Sequence, residues 1–129
     1  LYNEDIRTFI EKYIPFYENK AMIYFDPPYF KKGKQLYMNY FGLDDHKSIE
    51  RVIKKNVACD WIVTYDNTPE IREIYALYPT MLYDLNYSVS KKCRASELMI
   101  FKKDSLIPQN ELLNQNNINI NLRMMSKDS

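Results

Sequence analysis

Two short and largely apolar runs, AMIYF over 21–25 and CDWIVTY over 59–65, constrain this chain more than any other feature. Each is closed by turn-forming residues, Asp26-Pro27-Pro28 after the first and Asp66-Asn67-Thr68-Pro69 after the second. Runs of this length without polar alternation read as strands covered on both faces, as in parallel sheets. The prolines end them because proline cannot donate to a ladder. Between the runs, Leu43 to Lys55 places Ile49, Val52 and Ile53 on one helical stripe. Asp44 and Asp45 open that helix and Lys54 and Lys55 close it, matching its dipole. Strand, helix, strand in this order implies a parallel pair joined by a right-handed crossover.

The flanking pattern extends the unit. Asn3 to Ile14 reads as a helix, with Asn3 as N-cap, a stripe of Ile6, Phe9, Ile10, Tyr13 and Ile14, and Pro15 as its stop. Thr68 and Pro69 suit the cap and first residue of another helix, running to about Tyr78 before Pro79. Met81, Tyr83, Leu85, Tyr87 and Val89 recur at period two within 80–90, and ELMIFK over 97–102 is a further strand. Lys91, Lys92, Cys93 and Arg94 fall between these two strands, in a hairpin connection. The expected class is α/β: parallel strands, one antiparallel strand in the closing hairpin, and helices on both faces. Residues 105–129 change to an Asn-rich tail in which Ile118, Ile120 and Leu122 alternate with polar residues.

Composition excludes several chemistries. The chain has 129 residues, one domain's worth, and its charges nearly cancel at +1, so no global field draws it to nucleic acid or membrane. Gly33 and Gly42 are the only glycines, which leaves no phosphate-binding glycine loop. His46 is the only histidine, and Cys59 and Cys93 have no zinc-ligand spacing, so no metal site is expected. Two distant cysteines read as reduced thiols in a cytoplasmic protein. No apolar run approaches the ~18 residues of a membrane span, and the charged first residues are no signal peptide. The chain opens on Leu1, on what looks like helix, and reads as a fragment.

Chemistry concentrates at Asp26-Pro27-Pro28-Tyr29. In an open parallel sheet, ligands bind outside the carboxyl ends of strands, and Asp66 and Asn67 sit at the same end of the neighbouring strand. Residues preceding a proline are held extended, so the Pro27 carbonyl is fixed beside the Asp26 carboxylate. Two acceptors on a rigid arm, with the Tyr29 ring next to them, match a flat group bearing an amine. An adenine exocyclic amine fits. A strand followed by two prolines also reads simply as a stop signal.

The stretch IYFDPPYFKKGKQLYMNYFGLDDHKSI resembles the Dam-like adenine-N6 DNA methyltransferases, whose catalytic motif is Asp-Pro-Pro-Tyr after an apolar strand. Lys32-Gly33, Leu36-Tyr37 and Asp45-His46 match further positions, and the likeness continues through WIVTYDNTPEI, YDLNYSV and SELMIF, covering roughly 20–103. It implies a partial Rossmann-like methyltransferase sheet and transfer of a methyl group from S-adenosylmethionine to a flipped adenine in double-stranded DNA, as in restriction–modification systems. Asp26 and the Pro27 carbonyl would accept the two amine N–H groups, Pro28 would stiffen the arm, and Tyr29 would stack on the base. Asp26 would also face the cofactor.

The same resemblance sets further expectations. Phe30, Tyr37 and Tyr40 would wall the base or cofactor pocket. Lys31, Lys32, Lys34, Lys91, Lys92 and Arg94 would hold DNA phosphates, unless they are only solvated loop charges. His46 reads as a packed or surface histidine without chemistry, and Trp61 as core. The strand order would be 21–27 at one edge, 60–65, an antiparallel 97–103, and 80–89 at the other edge. The family's Phe-x-Gly-x-Gly cofactor loop is missing, so residues 1–104 are expected to be the C-terminal half of a class I methyltransferase domain. Without its N-terminal half, strand 21–27 becomes a bare edge, expected to be covered by the tail through Ile118, Ile120 and Leu122 or by self-association. The alternative class is a non-catalytic DNA- or protein-binding module that keeps the half-fold.

Overall fold

Strand β1 (Met22–Phe25) lies parallel to β2 (Asp60–Asp66), with Met22 opposite Asp60 and Phe25 opposite Val63. The computed structural model describes residues 4–17, 21–31, 41–86, 94–108 and 121–124. Helix α1 (Ile6–Tyr13) runs into a 3-10 turn over Ile14–Tyr17 at Pro15. Its cap is Asp5, whose carboxylate accepts the Arg7 N–H at 2.9 Å, so the helix starts later than Asn3 would have set it. Arg7 also donates to Asp45 at 3.2 Å, tying α1 to α2 (Leu43–Asn56). Gly42 precedes α2 in extended conformation, and its N–H donates to Asp45 Oδ2 at 2.9 Å, satisfying one free donor at the helix start.

Thr68 caps α3 (Pro69–Ile74), accepting the Ile71 N–H, and Pro69 is its first residue as expected. The helix proper ends at Ile74, short of Tyr78. Strand β3 (Thr80–Asn86) follows, then β4 (Arg94–Phe101). Arg94, expected in the hairpin connection, is instead the first residue of β4, opposite Asn86. Lys91, Lys92 and Cys93 lie outside the described residues.

The sheet order is β1-β2-β4-β3-β5, with β5 spanning Asn121–Met124. The first four strands take the expected order, and β4 runs antiparallel between β2 and β3. The tail departs from expectation. Residues 121–124 pair antiparallel with β3, Leu122 opposite Tyr83, so β3 is not an edge and a second strand opposes the parallel set. Two features favour this edge. It is one strand from the end of β4, whereas β1 is two strands away on the other side. Strand β3 also offers seven residues of ladder against four in β1. Among the described residues, β1 keeps one neighbour.

The sheet has two unlike faces. Phe25, Trp61, Val63, Tyr65, Leu98 and Ile100 alternate onto one of them. They form a single buried cluster with Ile10 and Ile14, with Ile49 and Ile53 of α2, and with Ile71 and Tyr75. The described helices therefore share one face instead of covering both. Two successive crossovers of the same hand, each advancing along the sheet in the same direction, place their helices on the same side. The opposite face carries Met22 and Tyr24, 56% and 61% exposed, and further along Thr64, Asp66, Tyr83 and Glu97. Among the described residues no helix is long and apolar enough to cross a membrane.

Strand β5 fixes a measurable property. Truncation after Pro108 should expose the β3 amides facing β5 within Met81–Asp84 and speed their hydrogen exchange. The β2 amides that bond to β4 should keep their protection. Equal exchange in the two forms would mean that the tail adds no ladder in solution.

Candidate functional site

The turn after β1 leaves the sheet at its carboxyl end, where Asp26 is exposed and Pro27 buried. The Asp26 carboxylate accepts a hydrogen bond from the Thr64 hydroxyl at 3.3 Å, and Thr64 shares a 2.7 Å hydrogen bond with the Tyr24 hydroxyl. Positions 22, 24 and 26 fall on one side of β1 through its two-residue period, so these hydrogen bonds run along the face opposite the described helices.

Asp66 ends the neighbouring strand and binds the same turn. Its two carboxylate oxygens accept the backbone N–H groups of Phe30 and Lys31, each at 2.8 Å. The two strand-end loops therefore lie side by side, as their sequence positions implied. Asp66 is buried, and a buried carboxylate is costly unless donors meet it. Here two loop amides do so.

Tyr29 is held from a third strand. Its hydroxyl donates to Glu97 Oε2 at 2.6 Å, and the Tyr83 hydroxyl donates to the same oxygen at 2.5 Å. Glu97 stands opposite Tyr83 on β3 and opposite Asp66 on β2. Burial, and then the Glu97 carboxylate, hold the Tyr29 and Tyr83 phenols well above the ordinary tyrosine value. Both phenols are therefore neutral donors at physiological pH.

Phe30, expected beside Tyr29 at the substrate, turns toward the helix side. It packs against the apolar core, with its ring edge-on to His46 at 5.7 Å. Lys31 is exposed at the loop. Lys32, Lys34, Tyr37, Tyr40, Lys91 and Lys92 lie outside the described residues, and Arg94 starts β4. His46 is fully buried in α2, sharing a 2.8 Å hydrogen bond with the Tyr65 hydroxyl, so the packed reading holds. Trp61 is core. Among the described residues, no cluster of His, Cys, Asp or Glu is arranged to hold a metal ion. An open groove between α2 and α3, lined by residues such as Lys47, Glu50 and Glu73, shares no residue with this site.

Sequence reasoning missed Thr64, Tyr83 and Glu97. One signal was present for Glu97: a carboxylate heading the apolar run Leu98–Phe101, in a strand whose neighbours are core. Glutamate is almost never buried unpaired, so a partner was implied. Nothing in the local sequence named Tyr29 and Tyr83 as its donors.

The arrangement is an exposed carboxylate on a rigid arm, an aromatic ring tied down by its hydroxyl, and a loop pinned by two amides. It suits recognition of a planar group that carries hydrogen-bond donors.

Titration of the buried groups gives an expected pH profile. Burial pushes His46 below the ordinary histidine value, so it is neutral in the fold. The unfolded chain takes up that proton below pH about 6.5, so it binds more protons there and stability falls as pH drops. Burial also raises Tyr65 and Tyr75, and pushes Tyr78, which donates to Glu50, up to about 12. Above pH about 10 the unfolded chain loses phenol protons that the fold retains, so stability falls again. Urea midpoints should plateau between these limits. His46→Phe should flatten the first part of the acid limb, by about 1.4 kcal/mol for each tenfold weakening of proton affinity. An unchanged acid limb would show that His46 does not set it. No protein-family model and no curated protein matches this chain.

Proposed function

We propose that this chain supplies the base-binding side of an adenine-N6 DNA methyltransferase, acting on an adenine flipped out of double-stranded DNA. The observation that carries this reading is the placement of Asp26-Pro27-Pro28-Tyr29. The tetrapeptide leaves the carboxyl end of a parallel strand with its carboxylate exposed and its tyrosine fixed. The likeness of 20–103 to the Dam-like enzymes supports it, and so does the four-strand order β1-β2-β4-β3 of a Rossmann-like methyltransferase half.

In this reading Asp26 Oδ and the Pro27 carbonyl accept the two N–H bonds of the exocyclic amine. That draws the nitrogen toward tetrahedral geometry and frees its lone pair, which is otherwise delocalised into the ring. Tyr29 stacks on the base, offsetting with about 1–3 kcal/mol the few kcal/mol that flipping costs. S-adenosylmethionine, when bound, supplies an electrophilic methyl group. The exposed Asp26 carboxylate suits its cationic sulfonium. A chain with two glycines offers no counterpart of the family's glycine loop for the adenosine. That loop would come from another part of the full-length protein or from a separate subunit. Lys31, and Lys32, Lys34, Lys91, Lys92 and Arg94 with it, would meet phosphates. A cytoplasmic location gives access to DNA.

A second reading is favoured by the exposed Met22 and Tyr24 on the face opposite the described helices. It is a binding module that keeps the half-fold without catalysis.

The test is methyl transfer from radiolabelled S-adenosylmethionine to DNA by the full-length protein. Asp26→Ala should lower the rate about a hundredfold or more, because the reacting amine loses an acceptor. The fold should stand, at a cost of about 1 kcal/mol for one exposed carboxylate with a single long hydrogen bond. Lys91→Ala with Lys92→Ala should weaken DNA binding and reduce its salt slope. Transfer that survives Asp26→Ala at the wild-type rate would refute the mechanism. Absence of transfer by the wild type, with DNA binding intact, would favour the binding module.

A further inference from the structure

Three strands converge on the turn 27–31, and two buried carboxylates reach it from adjacent positions. Asp66 on β2 and Glu97 on β4 are direct cross-strand partners. Asp66 accepts the backbone N–H groups of Phe30 and Lys31, and Glu97 accepts the hydroxyl of Tyr29. Each carboxylate lies on a strand that this turn does not belong to. Carboxylates facing each other across a ladder repel, and both are nearly removed from water, Glu97 at 2% exposure and Asp66 at 5%. Such an arrangement persists only when donors satisfy it. On Glu97 the donors include two phenols converging on one oxygen.

A ring tied by its hydroxyl keeps only the orientations that preserve that bond. Tyr29 is partly exposed in the turn that follows Asp26. Its neighbour Phe30 is drawn to the opposite side of the sheet, against His46. The backbone between these two side chains is the part that Asp66 pins.

We propose that Glu97 is a positioning residue, which with Asp66 clamps turn 27–31 so that the Tyr29 ring is a preformed wall for a planar base before any ligand arrives. The base-binding part of this inference rests on the adenine reading above, whereas the clamp itself does not. A wall set in advance spares the ligand the entropy of ordering it.

The experiment places 3-fluorotyrosine at position 29 of the full chain and follows it by fluorine NMR. The wild type should give one resonance that does not titrate where free 3-fluorotyrosine ionises. Glu97→Leu removes the acceptor, and the resonance should move toward that of the free amino acid. Glu97→Gln keeps an acceptor oxygen without the negative charge. Its resonance should stay near wild type at neutral pH, while the phenol ionises at lower pH than in the wild type. A wild-type resonance in folded Glu97→Leu, judged by Trp61 fluorescence, overturns the proposal. Should Glu97→Leu not fold, unchanged titration of residue 29 in Glu97→Gln overturns it alone.

Quenching of 2-aminopurine in single-stranded DNA reads the wall itself. Tyr29→Ala should weaken binding by about 5- to 150-fold, the span of base–aromatic stacking. Glu97→Leu should fall in that range, and Glu97→Gln should bind like the wild type. Wild-type affinity in Glu97→Leu overturns the positioning role. If even the wild type fails to quench while the fluorine results hold, the clamp stands and the adenine reading falls.

Discussion

A carboxylate withdrawn from water must be met by donors, and at Asp66 those donors belong to another loop. Its two bonds to the Phe30 and Lys31 amides join the end of β2 to the turn after β1. They make the Asp-Pro-Pro-Tyr turn part of the sheet instead of a free connection. The parallel pairing of β1 and β2 sets this up by bringing both strand ends to the same side. The proline pair contributes stiffness, since each residue preceding a proline is confined to extended backbone. Asp26 is left exposed at the tip, steadied by the Thr64 hydroxyl.

The two faces of the sheet divide the work. The helix side is an apolar core in which aromatic rings also pack edge-on, Trp61 against Tyr78 at 5.0 Å and His46 against Tyr65 at 5.3 Å. Dense packing of this kind transmits displacement and keeps strand positions fixed. The other side carries hydroxyls and carboxylates: Tyr24, Thr64, Asp26, Tyr29, Tyr83 and Glu97. Every one of these is a donor to, or an acceptor from, a residue on a different strand or turn. The arrangement of the site thus depends on strand register. A one-residue slip of a strand would turn its member of the set Tyr24, Thr64, Tyr83 and Glu97 toward the core.

Much of this was legible in the residues. Apolar runs ending in Asp-Pro-Pro and Asp-Asn-Thr-Pro locate β1 and β2 within a residue or so, because strand propensity and proline both act locally. The Thr68 cap and the Pro69 start are legible for the same reason. Strand β1 is not, however, covered on both faces as its apolar run implies, since Met22 and Tyr24 are exposed. Helix α1 starts later than the Asn3 cap implied because the Asp5 carboxylate takes the cap role, accepting the Arg7 N–H. The apolar run starts only near Glu97, which leaves Arg94 to the connection, whereas pairing with Asn86 extends β4 back to Arg94. Leu122 lies in a strand on the β3 edge and not on the expected β1 edge, because alternation carries no information about which edge a strand joins, and Ile118 and Ile120 lie outside the described residues.

The sequence by itself determined the element types, the parallel pair and the location of an acceptor-rich turn at a strand end. These follow from periodicity, proline stereochemistry and the strand propensity of short apolar runs. Tertiary structure alone decided three further points. The tail closes the β3 edge, the described helices share one face, and Tyr29 is tethered 68 residues along the chain to Glu97. Register across three strands brings that carboxylate under the turn, and register is a property of neighbouring strands that no single segment contains.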